Sequence, residues 1–310
     1  MATTIHDVAV IGGGPAGATV ARILARAGRS VVLVDEHRRA RGMSAELMPW
    51  SAENVLRTLD LLDMIDGGPH VPAIPEGWHL DRARFDADLV HLAVHAGATH
   101  VSGRALAFDL TSSGWEIRVA HAADDDEAVS ARFVVDASGR AAVVATRFGA
   151  ERVTEAPSSA LVAMVEDNRN DDDRRLIVER ASSGVLVSAP LPGRRRVVAL
   201  HADEPRLRAI LATPIELNLC IRRSALVGPL LHPRARIAAP FLVETSASHL
   251  DRCVGHRWLA VGDAARSFDP LGDDHGIVHA LQSAVEAARA IDEAMHDRPD
   301  ALDAYAKAAA

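Results

Sequence analysis

The sequence predicts an α/β protein: a Rossmann-like dinucleotide-binding domain formed by residues 1–150 and 256–310, into which a β-sheet-rich domain of residues 151–255 is inserted. Three observations carry this. An apolar strand, Asp7 to Ile11, runs straight into a glycine-rich turn and an amphipathic helix. A second apolar strand follows that helix after one short joint. Strand-then-helix patterning returns only near residue 256, beyond a stretch dominated by short strand-like runs.

Asp7-Val8-Ala9-Val10-Ile11 is a continuous apolar run, as in strands that a parallel sheet buries on both faces. After the turn Gly12–Gly17, a helix runs from Ala16 to Ala27. Val20, Ile23, Leu24 and Ala27 form its apolar face, and Gly28 stands at its C-terminal stop. Val31–Val34 is the second strand, so the opening is β-α-β, which pairs its strands in parallel through a right-handed crossover. From Ser44 to Asp66 the pattern is helical, and a further helix from about Arg84 to Ala96 ends at Gly97. Strand signals follow at Ala105–Leu110, Trp115–His121 and Arg132–Val135. The run Asp124-Asp125-Asp126-Glu127 between the last two reads as a solvated hairpin tip, in preference to an acidic site.

In the inserted stretch, Ala160–Val165, Gly184–Ala189 and Val197–His201 read as strands, and Asn168–Arg175 as a charged loop. His256–Val261 resumes an apolar strand. The helix Ile277–Met295 then presents Ile277, Val278, Leu281, Val285, Ala288 and Ile291 on one face, and Pro299 stops it. Ala301–Ala310 is a short Ala-rich helix at an end prone to fraying.

Composition narrows the function. Lys+Arg 34 against Asp+Glu 42 gives a net charge of −8, which does not advertise nucleic acid as a partner. No run of apolar residues is long enough for a membrane span. Lys307 is the only lysine, which excludes Schiff-base chemistry on an internal lysine. Cys220 and Cys253 are the only cysteines and form neither a disulfide framework nor a zinc site, and no metal is expected. With no signal peptide ahead of the first strand, the expected location is cytoplasmic.

Gly12-Gly13-Gly14-Pro15-Ala16-Gly17 contains G-x-G-x-x-G between a strand and a helix. Gly12 permits the tight turn, Gly14 lets backbone approach a pyrophosphate, and Gly17 permits close packing of helix on strand. Unpaired N–H groups at the helix start favour the phosphates. Asp35, 18 residues beyond Gly17 at the end of the second strand, can accept hydrogen bonds from an adenosine ribose. The loop specifies an adenine dinucleotide and leaves NAD and FAD open.

Four blocks, in order, resemble the FAD-dependent monooxygenases of the para-hydroxybenzoate hydroxylase fold, nearest to the subset that includes flavin-dependent halogenases, geranylgeranyl reductases and flavoenzymes hydroxylating peptide tryptophan. They are Asp7–Asp35; Leu80-Asp81-Arg82-Ala83-Arg84-Phe85-Asp86-Ala87-Asp88-Leu89 running on to Ala96-Gly97-Ala98; Val134-Val135-Asp136-Ala137-Ser138-Gly139-Arg140; and Trp258-Leu259-Ala260-Val261-Gly262-Asp263-Ala264-Ala265 with Asp269-Pro270-Leu271 and Gly276-Ile277. They cover the first 150 residues and about 256 to 295, and leave the central domain unread.

The resemblance implies a GR2-type FAD-binding domain and a set of contacts. Gly12, Gly14, Pro15, Ala16, Gly17, Asp35 and Glu36 belong to the dinucleotide fingerprint. Asp263 would hydrogen-bond a ribitol hydroxyl, with Gly262 permitting close approach. Asp136, Ala137 and Gly139 would lie near the pyrophosphate, and Arg82 and Ala105 beside the adenosine half. Arg41 and Ser44 match a segment that comes near the flavin. Pro270, Gly276 and Ile277 would face the isoalloxazine ring, where a helix N-terminus favours the negative charge of reduced flavin. The implied chemistry is reduction of FAD by NAD(P)H, formation of a flavin C4a-hydroperoxide with O2, and oxygen transfer to an electron-rich small molecule or peptide residue.

The chain departs from the pattern in three places. Four residues, Gly272-Asp273-Asp274-His275, separate Asp-Pro-Leu from Gly-Ile where relatives usually have three. A carboxylate about 6 Å from the ring would repel anionic reduced flavin by roughly 3 kcal/mol at an effective dielectric of 20, whereas acids that face solvent would only cap the helix. His275 is a candidate acid/base or hydrogen-bond donor beside the flavin, and its spacing from His279, like that of His91 from His95, is more often structural than metal-binding. Met43 stands where relatives commonly carry Glu. The chain also ends soon after the last FAD helix, so either the substrate domain is minimal or a partner subunit or homodimer mate completes the pocket. With no separate nicotinamide-binding domain, either NAD(P)H binds transiently or a reductase partner supplies reduced flavin.

Monooxygenation is the leading function, with an alkene reductase or a low-turnover flavin-binding partner protein as alternatives. Halogenation is disfavoured, because Lys307 is terminal and Trp50, Trp78, Trp115 and Trp258 form no W-x-W-x-I-P signature. In the central domain His201, Glu179, Arg180 and Ser188 are candidates on position alone, with a surface or hydrogen-bonding role the default for Glu179 and His201.

Overall fold

The computed structural model describes residues 4–36, 45–68, 70–74, 77–121, 126–166, 172–272, 276–298 and 300–309. Its central element is a sheet that draws strands from both ends of the chain. Ile5–Ile11 pairs in parallel with Val31–Asp35 on one side and Asp126–Asp136 on the other. Thr99–Ser102 extends the first edge, and Trp258–Ala260 joins Asp126–Asp136 in parallel on the second. The register aligns Ile11 with Asp136 and Asp136 with Ala260, so three strands end level and three loops leave them side by side. Ligands of open α/β sheets bind outside such carboxyl ends.

The helix Pro15–Arg26 packs on this sheet and against Arg82–His95 and Gly276–Ala294. Val20, Leu24, Phe85, Leu281 and Ile291 are buried in the shared core. The Ala-rich face of Gly276–Ala294, with Ala280, Ala284, Ala287 and Ala288 buried, lets backbones approach closely.

A second, antiparallel sheet holds Ile177–Ala181, Gly184–Leu191, Arg195–Ala202 and Ser159–Glu166 in that order, with Arg236–Ile237 and Phe241–Glu244 along the outer edge of Ser159–Glu166. Its two faces differ. Leu161, Val165, Leu186, Val198 and Leu200 pack with Leu207, Ile210, Leu217 and Ile221 of two helices, Glu204–Ala212 and Pro214–Arg223, which the sequence reading did not identify. Val162, Ala189 and Val197 form the other face. A third, small antiparallel sheet holds Arg152–Ala156, Ala247–Leu250 and Arg266–Ser267 in that order.

Two expectations are corrected. The stretch from Ser44 to Asp66 is not one helical run: Ala45–Met48 is a strand paired with Trp78–Asp81, and helix appears only at Glu53–Thr58 and Leu62–Asp66. Pro49 interrupts the first part, Trp50 stacks on Trp78 at 5.0 Å, and Asp60 turns left-handed at φ 51°. The tail forms the expected helix, Asp300–Ala309, and only the fraying is corrected, because Tyr305 is buried at 4% exposure. Burial raises the Tyr305 phenol, whose hydroxyl donates to the Ala260 carbonyl at 2.8 Å. The tip of the acidic hairpin lies outside the described residues. No helix among the described residues is long and apolar enough to cross a membrane.

Candidate functional site

The three level loops open onto a cavity of about 550 Å³ that continues to the second face of the antiparallel sheet. At its floor, Gly12 holds φ +110°, and a Cβ there would collide with the Ala137 carbonyl. A Cβ on Gly17 would collide with the Gly12 carbonyl, so Gly17 closes helix onto strand. Gly14 is the opposite case: a Cβ there meets no protein atom within 4 Å and would project into open space. Gly14 is also the helix N-cap, with no side-chain hydrogen bond capping it, and Pro15 follows at the first helical position. Gly12, Gly14, Pro15 and Ala16 all line the cavity. Asp35 lines it too, and its Oδ1 accepts the Gly13 N–H at 3.0 Å, which ties the loop to the end of the second strand.

The second loop contributes Ala137, Ser138, Gly139 and Arg140. Gly139 holds φ +69°, and a Cβ there would meet nothing within 4 Å. Asp136 does not line the cavity. It is fully buried, and its carboxylate accepts N–H groups of Ser138, Val144 and Ala145 and the Ser138 hydroxyl, at 2.6–3.1 Å. Burial nonetheless raises its carboxyl above the ordinary value, against those bonds. Asp136 therefore shapes the loop from behind.

The third loop carries Asp263 to the cavity wall. Burial raises its carboxyl, while Arg140, Arg82 and Arg152 act in the opposite direction. Arg152 donates to the carbonyls of Ala264 (2.7 Å) and Asp263 (3.3 Å), and Arg140 donates to those of Ser246 and Phe268. These cations brace the backbone around the carboxylate. Arg82, ion-paired with Asp86 at 3.0 Å, lines the cavity as expected. Gly262 does not line it but holds the close approach behind Asp263, its N–H donating to Ser283 Oγ at 3.3 Å. Pro270, Gly276 and Ile277 line the far end of the cavity.

Two candidates lie elsewhere. Glu36 is exposed and off the cavity wall. Ala105 is half-buried in a strand opposite Val119 and also does not line it. Arg41, Met43, Ser44, Asp273, Asp274 and His275 lie outside the described residues. His279 packs edge-on against Phe268 at 4.9 Å, His91 and His95 are exposed, and no metal-holding cluster of three or more His, Cys, Asp or Glu occurs among the described residues. Cys220 and Cys253 are free thiols.

Of the central candidates, Glu179 accepts the N–H groups of Ala225 (2.6 Å) and Leu226 (2.9 Å), Ser188 is buried and donates to the Val197 carbonyl, and Arg180 is exposed. His201 alone among these lines the cavity. Sequence reasoning missed the rest of that wall: Val162, Val187, Ala189, Val197, Ala199 and Val243. The signal available was the alternation Val197–Ala199–His201 along one strand.

This cavity fits an extended dinucleotide. A glycine floor leaves room for phosphates at an uncapped helix start, an acid stands at the ribose position, and a braced carboxylate faces the middle.

Comparison with known proteins agrees. A family model described as FAD binding domain matches residues 6–65, and one described as tryptophan halogenase matches residues 36–155. The chain is 25% identical to the putative FAD-dependent oxidoreductase LodB of Marinomonas mediterranea, over 97% of this chain and 87% of that protein. Among solved structures it is similar to the peptidyl tryptophan dihydroxylase QhpG, essential for tryptophylquinone cofactor biogenesis, at 27% identity and a TM-score of 0.79, over 99% of this chain and 71% of that one. It shares the fold of the flavin-dependent halogenase CmlS (TM-score 0.83, 21% identity), covering 98% of this chain but only 61% of that one.

Proposed function

We propose that this chain, an FAD-dependent oxidoreductase with the fold shared by flavin monooxygenases and halogenases, hydroxylates an aromatic or similarly electron-rich small molecule or peptide residue. The observation that carries the reading is the continuity of the cavity: the glycine floor and Asp263 pass without a break into a wall of Val162, Val187, Ala189, Val197 and Ala199. A flavin laid along the first part would have its ring end against an apolar chamber.

The residues divide the work. The open space at Gly14 and Gly139 admits the pyrophosphate to backbone N–H groups. The carboxylates of Asp35 and Asp263 would accept hydroxyl groups of the two sugar-like parts of FAD, Arg82 would stand beside the adenosine half, and the start of Gly276–Ala294 would favour negative charge at the ring. Bound FAD would supply the redox chemistry: electrons from NAD(P)H or an external reductase, and oxygen transfer from O2. The apolar wall orients the substrate ring and excludes water, which protects reactive species from hydrolysis. The two parts of the wall come from different portions of the chain, in keeping with a division into residues 1–150 with 256–310 and residues 151–255. A likeness to a peptidyl tryptophan dihydroxylase supports peptide residues, indole side chains included, as one substrate class.

Halogenation is the second reading, favoured by the tryptophan-halogenase match over residues 36–155. Against it, Lys307 is exposed on the terminal helix and no lysine lines the cavity among the described residues.

The test starts with the absorbance spectrum of the purified protein. Consumption of NADH and NADPH is then followed, with and without O2, against phenols, indoles and tryptophan-containing peptides, in the presence and absence of bromide. A product heavier by one oxygen atom supports hydroxylation, and a bromide-dependent product replaces it with halogenation. Turnover without O2 points to a reductase, and a colourless protein that takes up no FAD removes the proposal.

A further inference from the structure

The cavity face of the antiparallel sheet is aliphatic except at one corner. Along Arg195–Ala202, Val197, Ala199 and His201 alternate onto the cavity face, while Val198 and Leu200 point into the helix-backed core. His201 stands in register with Ala160 on one neighbouring strand and Val185 on the other, and Ala160 with Val243 beyond. Its ring is flanked by small or aliphatic groups and is 7% exposed. Its Nδ1 is buried and has no hydrogen-bond partner. Buried polar atoms are normally satisfied, so the chain's own groups leave the hydrogen bonding of this ring incomplete, while His201 itself lines the cavity. A half-turn of the ring brings either side of the imidazole to the cavity.

The far side of this corner is the loop of Phe268 and Pro270, both on the cavity wall, with Asp269 between them close enough for its charge to act on the imidazole. Burial holds His201 below the ordinary imidazole value, with Asp269 opposing, so the ring is neutral near pH 7 and keeps one acceptor nitrogen. The other charged groups on the cavity wall are Asp35, Arg82, Arg140, Glu244 and Asp263, and Arg140 is committed to two backbone carbonyls.

We propose that His201 is a specificity-determining residue of the chamber: a ring nitrogen accepts a hydrogen bond from an O–H or N–H on the edge of an aromatic substrate and holds that edge beside the Phe268–Pro270 loop. The inference rests on the monooxygenase reading. It adds one substrate contact, made by His201, and it assigns no redox step to the histidine.

The test uses the FAD-loaded, oxidised protein with no reductant, so that binding is read without turnover. Calorimetry compares phenol with toluene and indole with 1-methylindole, each pair differing in the donor. The donor-bearing member of at least one pair is expected to bind about tenfold more tightly, the net effect of one hydrogen bond. Which pair responds separates hydroxyl from indole recognition. His201→Phe should abolish the preference and leave the donor-free ligand within about twofold, and His201→Gln, which keeps an acceptor, should restore part of it. If the phenylalanine variant does not fold, His201→Leu supplies the same comparison. A preference that survives in the apolar variant, its absence in the unmodified protein, or no binding of any probe overturns the assignment. Flavin absorbance of the same samples is a separate readout: a protein that holds FAD but shows no preference loses only the role of His201, whereas one that takes up no FAD loses the monooxygenase reading as well.

Discussion

Gly262 and Ala16 meet where the opening and closing stretches of the chain converge, and a Cβ built on Gly262 would lie 2.7 Å from the Cβ of Ala16, closer than such atoms come. Gly262 also holds φ +60°, a left-handed backbone that an L side chain adopts at a cost. The contact sets how near Asp263 stands to the glycine loop. Gly262→Ala is therefore expected to lower stability by about 1–3 kcal/mol and to reduce FAD content. Thermal unfolding and the flavin-to-protein absorbance ratio check this, and a variant normal in both would show that the close approach is dispensable.

Gly14 and Gly17 lie three residues apart in the same motif but do different things. A side chain at Gly14 meets no protein atom, whereas one at Gly17 would strike the Gly12 carbonyl and lie 2.8 Å from the Ala137 Cβ. Gly14→Val is expected to leave FAD-free stability within about 1 kcal/mol while weakening FAD at least about tenfold, because it fills the space a pyrophosphate needs. Gly17→Ala should cost stability with or without FAD. Equal thermal losses for the two would contradict the division.

Much of this was legible in the sequence because it is local. The strand, turn and helix from Asp7 to Arg26 follow from apolar runs and glycines whose geometry few other residues can adopt. The stretch after Ser44 misled because helical periodicity there competes with a long-range pairing, Met48 opposite Trp78, that no local pattern reveals. Asp136 reads as a ligand contact in sequence, yet its oxygens are taken by N–H groups up to nine residues further on. The apolar chamber was illegible for the same reason: Val162, Val187 and Val243 share a wall only through the register of three different strands.

The contribution of Asp136 and Asp263 to stability should fall with rising pH above the ordinary aspartate value, opposite in sign to that of His6, His70, His79 and His201, whose imidazoles burial lowers. Burial raises the carboxyls of Asp136 and Asp263 above 3.8. In that window these two groups hold protons in the folded chain that they have released in the unfolded chain, so their contribution to FAD-free stability declines as pH rises through it. Asp263→Asn removes one of the two contributions, so its stability relative to the unmodified protein should rise with pH, and it should also weaken FAD, since an amide only partly replaces a carboxylate acceptor. Melting temperatures from about pH 4 to about pH 7 for the two proteins test the sign, and parallel curves would refute it.

Tyr305 connects the terminal helix to the site through Ala260. Its hydroxyl donates to that carbonyl at 2.8 Å, Ala260 stands in register with Asp136, and Val261 and Asp263 beyond it line the cavity. Tyr305→Phe keeps the ring but leaves a buried carbonyl without this donor, at an expected cost of about 1 kcal/mol. In a chain of this size that is a drop of about 1.5 °C in the melting temperature. Tyr305→Ala removes the ring as well and should cost about 3–5 kcal/mol, because it opens a cavity beneath the sheet edge. FAD affinity should change little in the phenylalanine variant and fall in the alanine variant, as the strand carrying Asp263 loosens. A tail that only frayed in solvent would produce neither loss, so the graded response of the two variants tests whether the helix is part of the core.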